Sequence, residues 1–321
     1  MAVNIISRQN AEALIQEQVA KEIIQEAPKS SVVMQLGRRL PDMTSDKTRL
    51  RVLDALPMAY FVNGDTGRKQ TTSQEWEDVY LNTAELATIV PIPEAVLDDA
   101  DVDIIGEVVP RVREAMGSLI DSAIVFGNNK PTEWANSLYS LIQTAGNNVA
   151  VGQTPDYFDL IMAENGLLAK VEADGYNPNG AIAGLQFKSV LRGLRTTGGT
   201  PLFVSSMQGA TPYAIDGNPL YFPENGMWDA SKAQIIAGDF SKLVYALRKD
   251  VTVKVLSEGV IQDTDGTIAY NLAQQDMIAL RVVMRLGWAL PNPATRLDPN
   301  RSGCPFALIE PQSSTQSNTQ S

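Results

Sequence analysis

Residues 63–74 read Asn63-Gly64-Asp65-Thr66-Gly67-Arg68-Lys69-Gln70-Thr71-Thr72-Ser73-Gln74, a polar run rich in turn formers and without one apolar side chain. Before it stands the strand-like stretch Thr48–Val62, and after it Glu75–Val90, where Trp76, Val79, Tyr80, Ile89 and Val90 are set among polar residues. Two such runs joined by a polar turn predict a long β-hairpin with a solvated tip. At about 3.3 Å per residue, a strand of about twelve residues reaches roughly 40 Å, farther than a compact domain of this size needs. The hairpin is therefore expected to leave the body of the molecule and rest on a neighbour.

C-terminal to the hairpin, Pro91 and Pro93 punctuate the exit, and Asp98, Asp99, Asp101 and Asp103 precede a helical pattern. Ile105, Val108, Val109, Val112, Met116, Leu119, Ile120 and Ala123 form its apolar face, and Phe126-Gly127 ends it. Some 24 residues at ~1.5 Å rise give a helix of about 36 Å, the longest element expected, with a kink or brief break at Pro110. Asn128–Gln153 is loop-rich, with a short helix suggested by Trp134, Leu138 and Leu141. A second amphipathic helix is expected over Tyr157–Asp174, with Ile161, Leu168 and Val171 inward and an interruption at Gly166. The alternation of strand Ala181–Leu185, helix Phe187–Arg195 and short strand Pro219–Phe222 suits a small α/β region.

The last hundred residues return to strands at Gln234–Ala237, Leu243–Leu247 and Thr252–Leu256, followed by a turn at Asp263-Thr264-Asp265-Gly266. A final strand has Leu280, Val282, Met284, Leu286, Trp288 and Leu290 alternating with Arg281, Val283, Arg285, Gly287 and Ala289, which gives it one buried face. Gln312–Ser321 holds only Gln, Ser, Thr and Asn and is expected to be disordered unless bound. N-terminal to the hairpin, Ile15, Val19 and Ile23 recur every fourth place between Gln9 and Ala27, predicting a short amphipathic helix that Pro28 stops. Lys29–Lys47 shows no steady period and reads as an extended arm lying on something else.

Composition narrows the chemistry. The 321 residues are 44% hydrophobic, enough for real cores, and no apolar run approaches the ~18 residues of a membrane span. With 37 acids against 26 bases and a net charge of -11, a phosphate-binding groove is not expected, although a surface that merely encloses DNA suits this sign. A single cysteine, Cys304, cannot form an intrachain disulfide. The absence of histidine removes the commonest general base near neutral pH, the commonest nitrogen ligand of zinc and every Ser-His or Cys-His pair.

Motif-like clusters fail on spacing. Counted from Asp99, Ile104 stands where a calcium loop needs Gly and Pro110 where it needs Glu, so opposition to a helix dipole accounts better for the acids. Ile268 likewise replaces the loop glycine after Asp263, and a hairpin turn is expected there. Gly64–Lys69 lacks the glycine spacing of a phosphate loop. Glu75, Glu77 and Asp78 beside Trp76 read as a solvated strand face in preference to a glycosidase carboxylate pair. No catalytic, cofactor or metal residue is expected. Arg38 and Arg39 on the arm, and Arg281 and Arg285 on the last strand, read equally as solvated or as partners for acidic patches on neighbouring chains.

The order of arm helix, long hairpin, long helix, small α/β region and returning strands resembles the tailed-bacteriophage major capsid protein family. The likeness rests on Lys21-Glu22-Ile23-Ile24-Gln25-Glu26, on Ala59-Tyr60-Phe61-Val62-Asn63-Gly64-Asp65-Thr66-Gly67, and on Val90-Pro91-Ile92-Pro93-Glu94-Ala95-Val96-Leu97-Asp98-Asp99-Ala100. Tyr270-Asn271-Leu272-Ala273-Gln274-Gln275-Asp276 and Met284-Arg285-Leu286-Gly287-Trp288 extend it over about residues 10 to 310. The resemblance implies an α+β fold of the Hong Kong 97 type, divided into an N-terminal arm (1–47), an extended loop (48–83), a peripheral domain (84–150, with a spine helix at about 101–126, and 238–310) and an axial domain (151–237), with a disordered polar tail (311–321).

It further implies a non-enzymatic shell protein whose hexamers and pentamers enclose double-stranded DNA, with a portal and a decoration protein as further partners, expansion on packaging, and residence in the virion after assembly in the host cytoplasm. Because the arm helix begins within about ten residues of Met1, a separate scaffolding protein is expected in place of a cleaved scaffolding domain. Some members crosslink a hairpin lysine to a neighbour's Asn with a Glu assisting. Lys69 occupies a comparable region, but without a matching Asn or Glu motif no crosslink is expected. The candidate assembly contacts are Arg38, Arg39, Asp65, Arg68, Lys69, Glu75 and Glu77. An encapsulin-like compartment of related fold is the alternative; a histidine-free hydrolase would have only unplaced carboxylates to work with.

Overall fold

The computed structural model describes residues 31–57, 59, 71–99, 104–153, 155–195, 199, 213–248, 252–263 and 265–312. The arm helix over Gln9–Ala27, the hairpin tip with Asp65, Arg68 and Lys69, and the tail beyond Gln312 lie outside the described residues. Helix α1 (Val32–Leu36) comes first, followed by β1 (Arg38–Arg39), β2 (Lys47–Ala55) and β3 (Glu75–Pro93). Next are α2 (Glu94–Asp99), the spine helix α3 (Ile104–Val125), α4 (Leu138–Ala145) and β4 (Asn148–Val149). The middle of the chain supplies α5 (Tyr157–Met162), α6 (Leu167–Ala173), β5 (Gly180–Ala183), α7 (Phe187–Gly193), β6 (Ala214–Ile215) and β7 (Asn218–Tyr221). Strands β8 (Ile235–Gly238), β9 (Val244–Leu247), β10 (Thr252–Leu256), β11 (Val260–Gln262), β12 (Ile268–Asn271), β13 (Met277–Ala289) and β14 (Phe306–Ile309) complete it.

The alternating segment near the C-terminus organises the first sheet, whose order is β1-β9-β13-β3-β2 with β10 also on β13. Leu280, Val282, Met284, Leu286 and Trp288 are all buried, as their two-residue period demands, and they pack with Val112, Met116, Ile120 and Ile124 of the spine helix. The spine helix runs through Pro110 as one element. Asp98 and Asp99 end α2 instead of opening α3. The second amphipathic helix is broken at Gly166 into α5 and α6, with Ile161, Leu168 and Val171 buried as expected.

The second sheet, β4-β14-β8-β5-β7-β6, is covered on both faces at its centre. Ala181, Ala183, Ile235, Ala237, Ala307 and Ile309 face a cluster built with α5, α6 and α7, whereas Ile182, Ile236, Phe306 and Leu308 join the spine-helix core. Burial on two faces explains why these strands read as continuous apolar runs without alternation. Gly238 on β8 is required by this packing, because a Cβ there would run into the Pro305 carbonyl and the Phe306 ring of β14.

Ser31–Met43, expected to lie extended on something else, is anchored to its own chain. Strand β1 pairs in parallel with β9, and Met43 bridges to Arg248. The start of α1 is closed by a spine-helix residue: Asp121, fully buried, accepts hydrogen bonds from the Ser31 hydroxyl, from Val32 N at 3.0 Å and Val33 N at 3.1 Å, and from Asn225 Nδ2 at 2.9 Å. Burial pushes the Asp121 carboxyl above its ordinary value of 3.8, and those four donors pull in the opposite direction.

Candidate assembly interface

The hairpin leaves the body where β3 changes partner. From Thr83 to Pro93 it pairs with β13, and from Glu75 to Asn82 it pairs with β2 alone, as a two-stranded ribbon. Alternation then sorts the ribbon's side chains. Leu81, with Val79 and Leu50 beside it, packs near the root with Met43 and Val244, and Val52 is buried farther out. Among the described residues the opposite face has no such cover: Trp76 is 63% exposed and Tyr80 51%, and Leu53, Arg51 and Arg49 stand across from Trp76, Asp78 and Tyr80. Arg49 Nη1 reaches Asp78 at 3.3 Å, and the Lys47 ammonium lies 5.5 Å from the Tyr80 ring centre. An exposed aromatic pair with three basic side chains alongside is a surface suited to burial by a second molecule.

The candidate contacts divide between the arm and the ribbon. Arg38 and Arg39 are exposed on β1, Arg39 paired with Asp42 at 2.8 Å. Glu75 is exposed at the far end of β3, opposite Ala55. Glu77 accepts from Arg301 of its own chain. The structure therefore brings Glu75 and Glu77 onto one strand and keeps Arg38 and Arg39 apart from them on another. On the last strand, Arg285 pairs with Glu85 at 2.7 Å.

Sequence reading missed two groups around this region. One is Asp121, whose only signal is an acid between Ile120 and Ser122 in the apolar stripe of the spine helix. The other is the loop 290–304, which runs beside the ribbon. Ala294 N donates to Leu53 O at 2.8 Å, Arg296 to the Pro57 carbonyl, and Arg301 Nη1 to Asp54 Oδ1 at 2.7 Å. Asp298 organises this loop by accepting from Ser302 N at 3.1 Å and Gly303 N at 2.8 Å. Desolvation raises its carboxyl pKa, but those backbone donors outweigh it and the net shift is downward.

The Phage capsid family model matches residues 11–295 of this sequence. The chain belongs to the phage capsid family. Among relatives of this capsid chain, the major capsid protein of Staphylococcus phage 80alpha is 24% identical over 288 residues, covering 88% of this chain and 83% of that protein. A solved structure from Microbacterium phage Oxtober96 is 33% identical with a TM-score of 0.77, covering 88% of this chain and 91% of its own. One from Mycobacterium phage Bobi is 30% identical with a TM-score of 0.75, covering 97% and 100%. The capsid chain is thus a virion shell protein of a tailed phage, with the Hong Kong 97 type of α+β fold, and it self-assembles into capsomers. Its described residues include no helix long and apolar enough to cross a membrane.

Proposed function

We propose that this is the major capsid protein whose hexamers and pentamers close an icosahedral shell around the double-stranded DNA of a tailed phage, and that the hairpin supplies a principal contact between neighbouring copies. The observation that carries the reading is the open ribbon face: Trp76 and Tyr80 project from β3, 63% and 51% exposed, and among the described residues no apolar cluster of their own chain covers them. A two-stranded ribbon on its own is marginal in water, so a neighbour's surface is what makes it worth projecting. The basic side chains Lys47, Arg49 and Arg51 on the same face suit a second copy of a chain whose net charge is -11.

In this reading residues 1–47 act as an arm, 48–83 as the extended loop, 84–150 with 238–310 as the peripheral domain, and 151–237 as the axial domain, with 311–321 as a tail. Arg38, Arg39, Asp65, Arg68, Lys69 and Glu75 contribute contacts between subunits, whereas Glu77 is taken up by Arg301 of its own chain. The role is structural, without catalysis. A separate scaffolding protein guides assembly in the host cytoplasm, a portal occupies one vertex, a decoration protein can bind outside, and the shell expands as DNA enters. An excess of acids disfavours a phosphate-binding groove, in keeping with a shell that encloses DNA without sequence-specific binding.

Co-expression with a scaffolding protein and electron microscopy of the product test the proposal. Regular closed shells are expected from the wild type. Deletion of Asn63–Gln74 should leave a folded subunit that assembles poorly, and normal shells from that deletion would remove the hairpin's role. Particles enclosing an enzyme cargo in place of DNA would favour the encapsulin-like alternative.

A further inference from the structure

The loop 290–304 meets the ribbon well away from its root. Asp54 and Glu77 lie toward the distal end of the paired strands, since β2 runs outward from Lys47 to Ala55 and β3 returns from Glu75. At about 3.3 Å per residue, Glu77 stands roughly 17 Å from Asn82, where the ribbon begins. Asp54, at the irregularity between Leu53 and Ala55, shares by alternation the face of Val52, which stands opposite Glu77, and its carboxylate is within reach of the guanidinium. Arg301 holds both strands with one nitrogen: Nη1 donates to Asp54 Oδ1 at 2.7 Å and to Glu77 Oε2. Its Nε donates to the carbonyl of Asn292 in its own loop at 2.6 Å. Asn292 returns the tie through Nδ2 to the carbonyls of Arg301 at 3.1 Å and Gly303 at 2.8 Å, and also accepts from the Tyr176 hydroxyl of the second-sheet unit.

The backbone supports the same geometry. Arg301 adopts a φ of +58°, a conformation in the left-handed region that a side chain of its size seldom takes unless its surroundings fix it. Its side chain is only 18% exposed. A ribbon hinged at Asn82 and tied at Asp54 and Glu77 is supported at two separated points, so its direction relative to the body is set by the tie as well as by the root.

We propose that Arg301 is a positioning residue for shell assembly: the brace from Arg301 to Asp54 and Glu77 fixes the angle at which the hairpin leaves the body, and with it the angle between neighbouring subunits. The inference rests on the reading that the hairpin touches a neighbour. A planar fork serves this role because it can reach two carboxylates and a carbonyl at once, which the point charge of a lysine cannot do in the same geometry.

The test compares wild type, Arg301→Lys, Arg301→Ala, and the double variant Asp54→Ala/Glu77→Ala, which removes both acceptors of the brace without touching the strained backbone position. Amide hydrogen exchange on the unassembled subunit should become at least tenfold faster in residues 49–55 and 75–81 for Arg301→Ala and the double variant, with Arg301→Lys intermediate. Exchange in β13 and the spine helix should stay unchanged. Electron microscopy of particles assembled from the same variants should show a broadened size distribution or open sheets, a readout that loss of stability alone does not produce. Unchanged ribbon exchange in the double variant, or accelerated exchange with shells of wild-type size, overturns the proposal. Failure of the hairpin-contact reading is a different result: it would appear as normal shells from the Asn63–Gln74 deletion in a chain with the brace intact.

Discussion

Replacing Asp121 with Ala removes the one acceptor shared by four donors in the interior: the Ser31 hydroxyl, the Val32 and Val33 amides and the Asn225 side chain. A buried donor left without a partner costs about 1–3 kcal/mol, so the four together set an upper scale of several kcal/mol. Two effects reduce it. The wild type bears the desolvation of a fully buried carboxylate, and Ser31 can turn its hydroxyl toward another acceptor. A local loss of about 3 kcal/mol for the α1 segment is therefore expected, with the spine helix itself retained, since its own backbone ladder is untouched. Because about 1.4 kcal/mol corresponds to tenfold, amide exchange of Val32, Val33 and Met34 should accelerate roughly a hundredfold. Mass spectrometry of peptides spanning residues 31–40, in the unassembled subunit, reads this directly. Protection of those amides within about twofold of wild type would refute the claim that Asp121 holds the segment to the spine.

Three further outcomes are expected. The pH dependences of two buried acids have opposite signs: the Asp121 carboxyl is raised above 3.8, so its contribution to stability is greatest below that value and declines as pH climbs through the folded pKa, whereas Asp298 is lowered and contributes fully above 3.8, losing its contribution as pH falls through its folded pKa. Denaturant titrations across pH should therefore show the gap between wild type and Asp121→Asn narrowing toward neutral pH, and the gap for Asp298→Asn narrowing toward acid. Burial of Trp76 on assembly should shift tryptophan emission to the blue, and Trp76→Phe should abolish most of that shift, because Trp134 and Trp288 are already buried in the subunit and Trp228 is half-buried against Phe126. Burial also pushes the Cys304 thiol up to about 11, so iodoacetamide at pH 8 should label it only after unfolding, and rapid labelling of the folded subunit would contradict its placement.

What could be read from the sequence follows the range of the interactions involved. β13 was legible because one face meets the spine helix and the other is only partly covered, and that asymmetry writes a two-residue period into the chain. The break at Gly166 was legible for a local reason as well: a glycine interrupts an otherwise helical stripe. β14 escaped notice because Phe306-Ala307-Leu308-Ile309 is buried on both faces and carries no period, and four apolar residues between a proline and a polar tail give no hint of which sheet they enter. The anchoring of Ser31–Met43 was hidden differently. Its determinant, Asp121, is 90 residues away, and an acid on an apolar helix face can as easily be read as a solvent-facing edge. Arg301 gave less still, since loops without periodicity do not announce their partners.

The place of β14 in the second sheet has a consequence for synthesis on the ribosome. Its neighbours β4 and β8 are made well before it, and until residues 306–309 emerge the edge of β8 that β14 will occupy stays open. The last described strand is thus the one that seals a sheet assembled from residues 148–238. A chain cut short of Phe306 carries an unpaired β8 edge. Loss of that strand opens the sheet between β4 and β8 and takes Phe306 and Leu308 out of the spine-helix core at the same time.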